Sequence, residues 1–189
     1  MDFVPGDILL YTSPGLKFSN LISNGIRLVE GNKVIHVAVY LGSNAKGHAI
    51  VEALPDGVKI KSLSNTDIYN RVDNHANGLT LYGIARLPNM EVSSKNTVFA
   101  VSAAKYSQSP YGYLTDFNLF LQHGKTRLFH KLPWTVWCKS KKGYICSEVA
   151  QLVVGDVLEL NNIPLPFKKI ACLTEPDDFL YYPWQVITV

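Results

Sequence analysis

The hydrophobic pattern along the chain changes period, and the change divides it into two kinds of element. The first part is built of short apolar runs bounded by Gly, Pro, Asn and Asp, as strands and turns are. "VPGDILLYTSPG" predicts a turn, a short strand and a second turn. "FSNLISNGIRLVEG" interrupts with helical spacing: Leu21, Ile22, Ile26 and Val29 share one side, and Gly31 is a stop. "NKVIHVAVYLGSNAKGHAIVEAL" then predicts a hairpin, and "GVKIKSL" and "LTLYGIARL" two further strands with a polar, loop-like segment between them. Later runs are helical. "SSKNTVFAVSAAKYSQSP" begins with Ser caps and ends before Pro110, and "TDFNLFLQHG" is a shorter helix. "CSEVAQLVVGDVLEL" sets Val149, Leu152 and Val153 at helical spacing. The order of elements predicts an α+β fold with an antiparallel sheet.

The hairpin carries polar residues inside its apolar arms. Side chains alternate faces along a strand, so Ile35, Val37, Val39 and Leu41 share one face, and Ala49, Val51 and Ala53 share one on the second arm. Burying both sets together predicts the pairs Val39 with Ala49, Val37 with Val51 and Ile35 with Ala53, around a loop centred on Asn44. The opposite face then pairs Tyr40 with His48, Ala38 with Ile50, and His36 with Glu52. A carboxylate beside an imidazole fixes its tautomer and supports its cation, as in a catalytic triad. Taken alone, such a pair is more often a structural ion pair on a sheet surface.

Composition narrows the field without choosing a function. A chain of 189 residues, 47% hydrophobic and 17% charged, is expected to form one globular domain over 1–189 with a sizeable core. A net charge of +3 does not call for nucleic acid, and no segment has the apolar length of a membrane span. "MDFVPGDILLY" has no basic region before its apolar run, so no secretory signal is expected, and a cytoplasmic or virion-associated protein is. Cys138, Cys146 and Cys172 are three, with no C-x-x-C pair, which argues against a disulfide framework and a cysteine zinc site. No metal or cofactor is expected.

Local electrostatics single out Cys146 as a nucleophile. It stands at the predicted start of a helix, after a glycine and two lysines in "KKGYICSEV", where free N–H groups and the helix dipole favour a thiolate. Cys138 lies among aromatic residues in "WTVWC", and Cys172 has acidic neighbours. A buried, inert cysteine remains the plainer reading of Cys146 by itself.

Five blocks in order, "PGDILLY", "HVAVYLG" with "VEALPDGV", "SPYGY", "YICSEVAQLV" and "TEPDDFLYYP", resemble the circularly permuted branch of the NlpC-type, papain-like superfamily, with the YiiX-like group as the nearest match. The lecithin retinol acyltransferase group is similar at "PGD" and in its His-bearing strand. The resemblance covers almost the whole chain. It implies a permuted papain-like fold: an antiparallel, barrel-like sheet packed against helices, with the His strand first and the nucleophile at the N-terminus of a helix in the C-terminal half. It also implies Cys146 as nucleophile, His36 as base and Glu52 as the residue that orients the base. The activity implied is cysteine hydrolysis of an amide, such as a peptide, isopeptide or cell-wall stem peptide, or of an ester, through an acyl-enzyme. A lipid-directed acyltransferase or thioesterase-like enzyme, and a binding module using the same cleft without turnover, stay open.

The remaining features are weaker. Tyr111 and Tyr113 match an aromatic block near the family's site and are candidates for substrate contact, although Gly112 replaces the usual Asp between them. Asp7 reads as a turn-capping carboxylate. His48, paired with Tyr40, competes with His36 for the base, and His75, His123 and His130 fall in loop-like segments. From Phe117 to Ser147 there is no acidic residue. The basic stretch 125–142, with Lys125, Arg127, Lys131, Lys139, Lys141 and Lys142 among aromatics, reads first as a solvated loop and second as a contact for an anionic substrate, a membrane surface or a cell wall. The expected partner is a peptide-like or acyl-bearing substrate, with no nucleic acid, because no nucleic-acid fold signature is present.

Overall fold

The computed structural model describes residues 2–13, 33–71, 78–87, 95–113, 143–167, 171, 174–181 and 184–189. The helices expected over 18–31 and 115–124, the basic stretch 125–142, Cys138, Cys172, His75, His123 and His130 lie outside them.

Strands β1 (Ile8–Thr12), β2 (His36–Asn44), β3 (Gly47–Leu54), β4 (Gly57–Leu63) and β5 (Thr80–Arg86) precede helices α1 (Lys95–Tyr106) and α2 (Cys146–Leu160). A 3₁₀ helix (Pro176–Leu180) and strand β6 (Gln185–Thr188) follow. The strands form one six-stranded antiparallel sheet in the order β4-β3-β2-β1-β5-β6, so the fold is mixed α+β. Among the described residues no helix is long and apolar enough to cross a membrane.

Both faces of the sheet are covered, which is why the runs "DILLY" and "VIHVAVYL" are nearly continuous in apolar residues. On one face Ile8, Leu10, Val37, Val39, Val51 and Val58 pack with Phe99 of α1 and with Val149, Val153 and Val157 of α2. On the other face Leu9, Tyr11, Ala38, Tyr40, Ile50 and Leu81 pack with Ile68 and Leu79. The α2 stripe at 146, 149, 150, 153, 154, 157 and 158 is the buried face of an amphipathic helix.

The hairpin register differs from the alternation-based reading. Val39 pairs with Val51 and Tyr40 with Ile50, then the ladder shifts, and Gly42, Ser43 and Asn44 pair with Ala49, His48 and Gly47. Leu41 is the extra residue of a bulge, and Gly42 accommodates it with φ +130. The turn is therefore the tight Ala45–Lys46 connection and not a loop centred on Asn44. The displacement at the His36 end is two residues, so the faces are those the pattern predicts. Only the partners along each face move. β6 pairs with β5 and was not anticipated, because its four residues carry no alternation long enough to read.

Candidate active site

His36 is the first residue of β2, and Glu52 lies on β3. Counting from Val39↔Val51, Glu52 falls across from Ala38, two residues along from His36. Diagonal neighbours are about 7–8 Å apart, within reach of two long side chains. His36 Nε2 and Glu52 Oε2 are 2.7 Å apart, and the side chains are 11% and 0% exposed. The pair is thus interior and not a surface ion pair.

Glu52 is shared. Arg71 Nη1 donates to Oε2 at 2.8 Å and Nη2 to Oε1 at 2.6 Å, and Lys61 Nζ lies 3.7 Å from Oε1. Arg71 is itself fully buried, with its guanidinium 5.5 Å from the centroid of the Tyr11 ring. Its backbone is held by Arg71 N–H to Leu79 O at 2.8 Å and Gly78 N–H to Arg71 O at 3.0 Å. Sequence reasoning missed Arg71, taking its segment as a polar loop. The only signal was indirect: an ionised carboxylate buried on a strand needs a cation. Burial raises the pKa of Glu52. Hydrogen bonds from Arg71 and His36, and their charges, outweigh it and hold the carboxyl below the usual range.

Cys146 opens α2 after Ile145, an N-cap with extended backbone and no side-chain cap. Glu148 compensates: its side chain accepts the Ile145 N–H, as in one half of a capping box. Its Oε2 is buried with no hydrogen-bond partner among the described residues, and burial pushes its pKa up to about 7. Cys146 is 8% exposed and lies close enough to His36 to act on the charge of its imidazole. Burial disfavours the His36 cation, yet the charge and hydrogen bond of Cys146, followed by those of Glu52, raise its pKa to about 9. His36 is therefore coupled to both a sulfur and a buried carboxylate.

The tyrosine block lies against the lead-in to Cys146. Tyr111 bridges Tyr144 in parallel, Gly112 N–H donates to Tyr144 O at 3.0 Å, and Tyr144 N–H to Pro110 O at 3.0 Å. The backbones approach so closely that a Cβ on Gly143 would lie 2.5 Å from Tyr111 O, and one on Gly112 3.1 Å from Gly143 O. Tyr113 is half exposed, and its hydroxyl donates to Pro55 O at 2.7 Å, which ties it to the β3–β4 turn. The block thus supports the backbone in front of the thiol.

The other candidates sit apart. His48 is opposite Ser43 and not Tyr40 as the pattern predicts, yet its Nδ1 reaches to 3.2 Å from Tyr40 Oη, in a cluster with Phe3. Asp7 accepts the Val4 N–H at 2.7 Å and binds Arg86 through both oxygens at 2.7 and 2.6 Å, a turn-capping role. Among the described residues no group of three or more His, Cys, Asp or Glu side chains could hold a metal ion. No family model matches the chain, and no curated protein matches it.

Proposed function

We propose that the protein is a cysteine hydrolase of the permuted papain-like type, cleaving an amide or ester through an acyl-enzyme. The observation that carries this reading is one imidazole that hydrogen-bonds the buried Glu52 carboxylate and is also coupled to Cys146. The order of the parts supports it: an antiparallel sheet bearing the His strand precedes the helix that begins with the Cys.

Cys146, as thiolate beside the His36 imidazolium, attacks the substrate carbonyl, and the π electrons move to its oxygen. N–H groups of the first turn of α2 are the donors for that oxyanion. Collapse of the intermediate breaks the bond to the amine or alkoxide, which leaves with the proton of His36. Neutral His36 then takes a proton from water as it attacks the thioester, and the acid departs, regenerating thiolate and imidazolium. Glu52 keeps Nε2 occupied so that the other ring nitrogen faces the sulfur. An acyltransferase would differ only in the acceptor of the second half. Peptide, isopeptide and cell-wall stem-peptide amides are the substrate class we favour.

Rapid-quench mass spectrometry with p-nitrophenyl acetate tests the reading. An acetyl group should appear on the Cys146 peptide and turn over in the wild type, and should be absent in Cys146→Ala. Full occupancy without release would leave a binding module, and no adduct on Cys146 would remove the nucleophile.

A further inference from the structure

The block "TEPDDFLYYP" has no role in the chemistry, yet it touches both halves of the site. Ser147, next to the nucleophile, donates through Oγ to Thr174 O at 2.5 Å. Gln151, one helical turn on, accepts the Thr174 hydroxyl. Ser147 and Thr174 are fully buried. The chain then enters the 3₁₀ helix, locked by a reciprocal capping box in which the Glu175 N–H donates to Asp178 Oδ2 at 2.8 Å and the Asp178 N–H to the Glu175 side chain. Phe179, also fully buried, anchors this turn in the helix-facing core. Asp177 faces the other way. Its Oδ1 accepts the N–H of Lys33 at 3.2 Å and of Val34 at 3.0 Å, just before β2 begins at His36. The next N–H, that of Ile35, donates to Tyr11 O at 2.9 Å and starts the sheet pairing.

We propose that residues 174–179 form a bracket that sets the separation of Cys146 and His36, with Asp177 the positioning residue for the base and Ser147–Thr174 the positioning contact for the nucleophile. This rests on the hydrolase reading of the same site. Cys146 and His36 come from elements distant in sequence that pack on each other through Val37, Val39, Val149 and Val153, but each residue stands at the very end of its element, beyond that packing. Both are tied within one residue of the thiol and two residues of the imidazole to a single short turn, and that turn is closed by its own capping box. One side-chain oxygen accepting two successive backbone N–H groups makes a directional contact that fixes the chain there. The demand is real, because a misplacement of about 1 Å can cost about a hundredfold in rate.

The test is the rate of Cys146 alkylation by iodoacetamide against pH, read by peptide mapping in the wild type, His36→Ala, Asp177→Ala, Asp177→Asn and Ser147→Ala, each checked for folding by circular dichroism. His36→Ala defines the profile of an uncoupled thiol. Asp177→Ala should move toward it, with reactivity near neutral pH falling about tenfold. Asp177→Asn keeps the accepting oxygen and should stay on the wild-type profile, and Ser147→Ala should lie between. If His36→Ala itself superimposes on the wild type, the hydrolase reading fails and there is nothing to position. If His36→Ala shifts while folded Asp177→Ala and Ser147→Ala do not, or if Asp177→Asn tracks Asp177→Ala, the bracket is overturned. Should Asp177→Ala not fold, Ser147→Ala decides alone: a shifted profile supports the bracket, and a wild-type profile overturns it.

Discussion

Arg71 changes what can be expected of Glu52. With a surface pair, Glu52→Gln would touch only the chemistry; here it would leave a fully buried guanidinium without its counter-charge. Losing one partner of such a pair costs about 3–5 kcal/mol, so Glu52→Gln and Arg71→Met should each lower unfolding free energy by that order in a denaturant titration. The double variant should lose clearly less than the sum, because the two changes remove one interaction. Additive losses would mean that Arg71 and Glu52 are not an energetic unit. The pH dependence follows from the same residues. Glu52, held below its usual range, contributes stability at neutral pH that is lost as the pH falls into the acid range. His36, raised to about 9 from 6.5, contributes stability that is fully present below 6.5 and is lost as the pH rises through 9. His36→Ala should flatten that alkaline limb of the stability profile; a limb unchanged in the variant would show that the imidazole gains nothing on folding. The contact of His36 with Glu52 was legible in the sequence because face parity carries it, and the place of Cys146 at a helix start because residue pattern does. Arg71 was not, because its side chain crosses from a loop and no spacing rule predicts such a partner.

At the scale of elements, period and punctuation carried most of the reading. β4 was bounded by Gly57 and Leu63 as the run "GVKIKSL" suggests, and α2 starts at Cys146 as expected. The register of the β2–β3 hairpin was not legible, since a bulge at Leu41 preserves faces while moving partners, and alternation records only faces. Two glycines, one before α2 and one within it, offer opposite tests of the packing. Gly155→Ala, inside α2, would place its Cβ 3.8 Å from Leu165 Cδ2 and 3.9 Å from Phe167 Cε2, ordinary contacts, and should stabilise by about 0.5–1 kcal/mol through helix propensity. Gly143→Ala would set a Cβ 2.5 Å from Tyr111 O and 2.7 Å from Pro110 O, and should destabilise by about 1–3 kcal/mol while lowering turnover, since the strained backbone leads into Cys146. Thermal unfolding of both variants checks the pair. A tolerated Gly143→Ala would mean that the tyrosine block does not hold the thiol's lead-in.

In the molecule as a whole, the sheet separates two cores, and the candidate site draws its residues from both sides of it. His36 shares a face with Glu52 and the Tyr11 core, whereas Cys146 belongs to the core beneath the helices. A sequence pattern assigns residues to faces but does not say which ends of which elements converge, so the coupling of base and sulfur had to come from the resemblance and the coordinates. The coupling of His36 to Cys146 is the central claim. Its most direct measurement is an NMR titration of the His36 imidazole in the wild type and in Cys146→Ala. Wild-type His36 should titrate near 9, and removal of the sulfur should bring the midpoint down while the Glu52 hydrogen bond persists. A wild-type midpoint near the ordinary 6.5 that Cys146→Ala leaves in place would contradict the account.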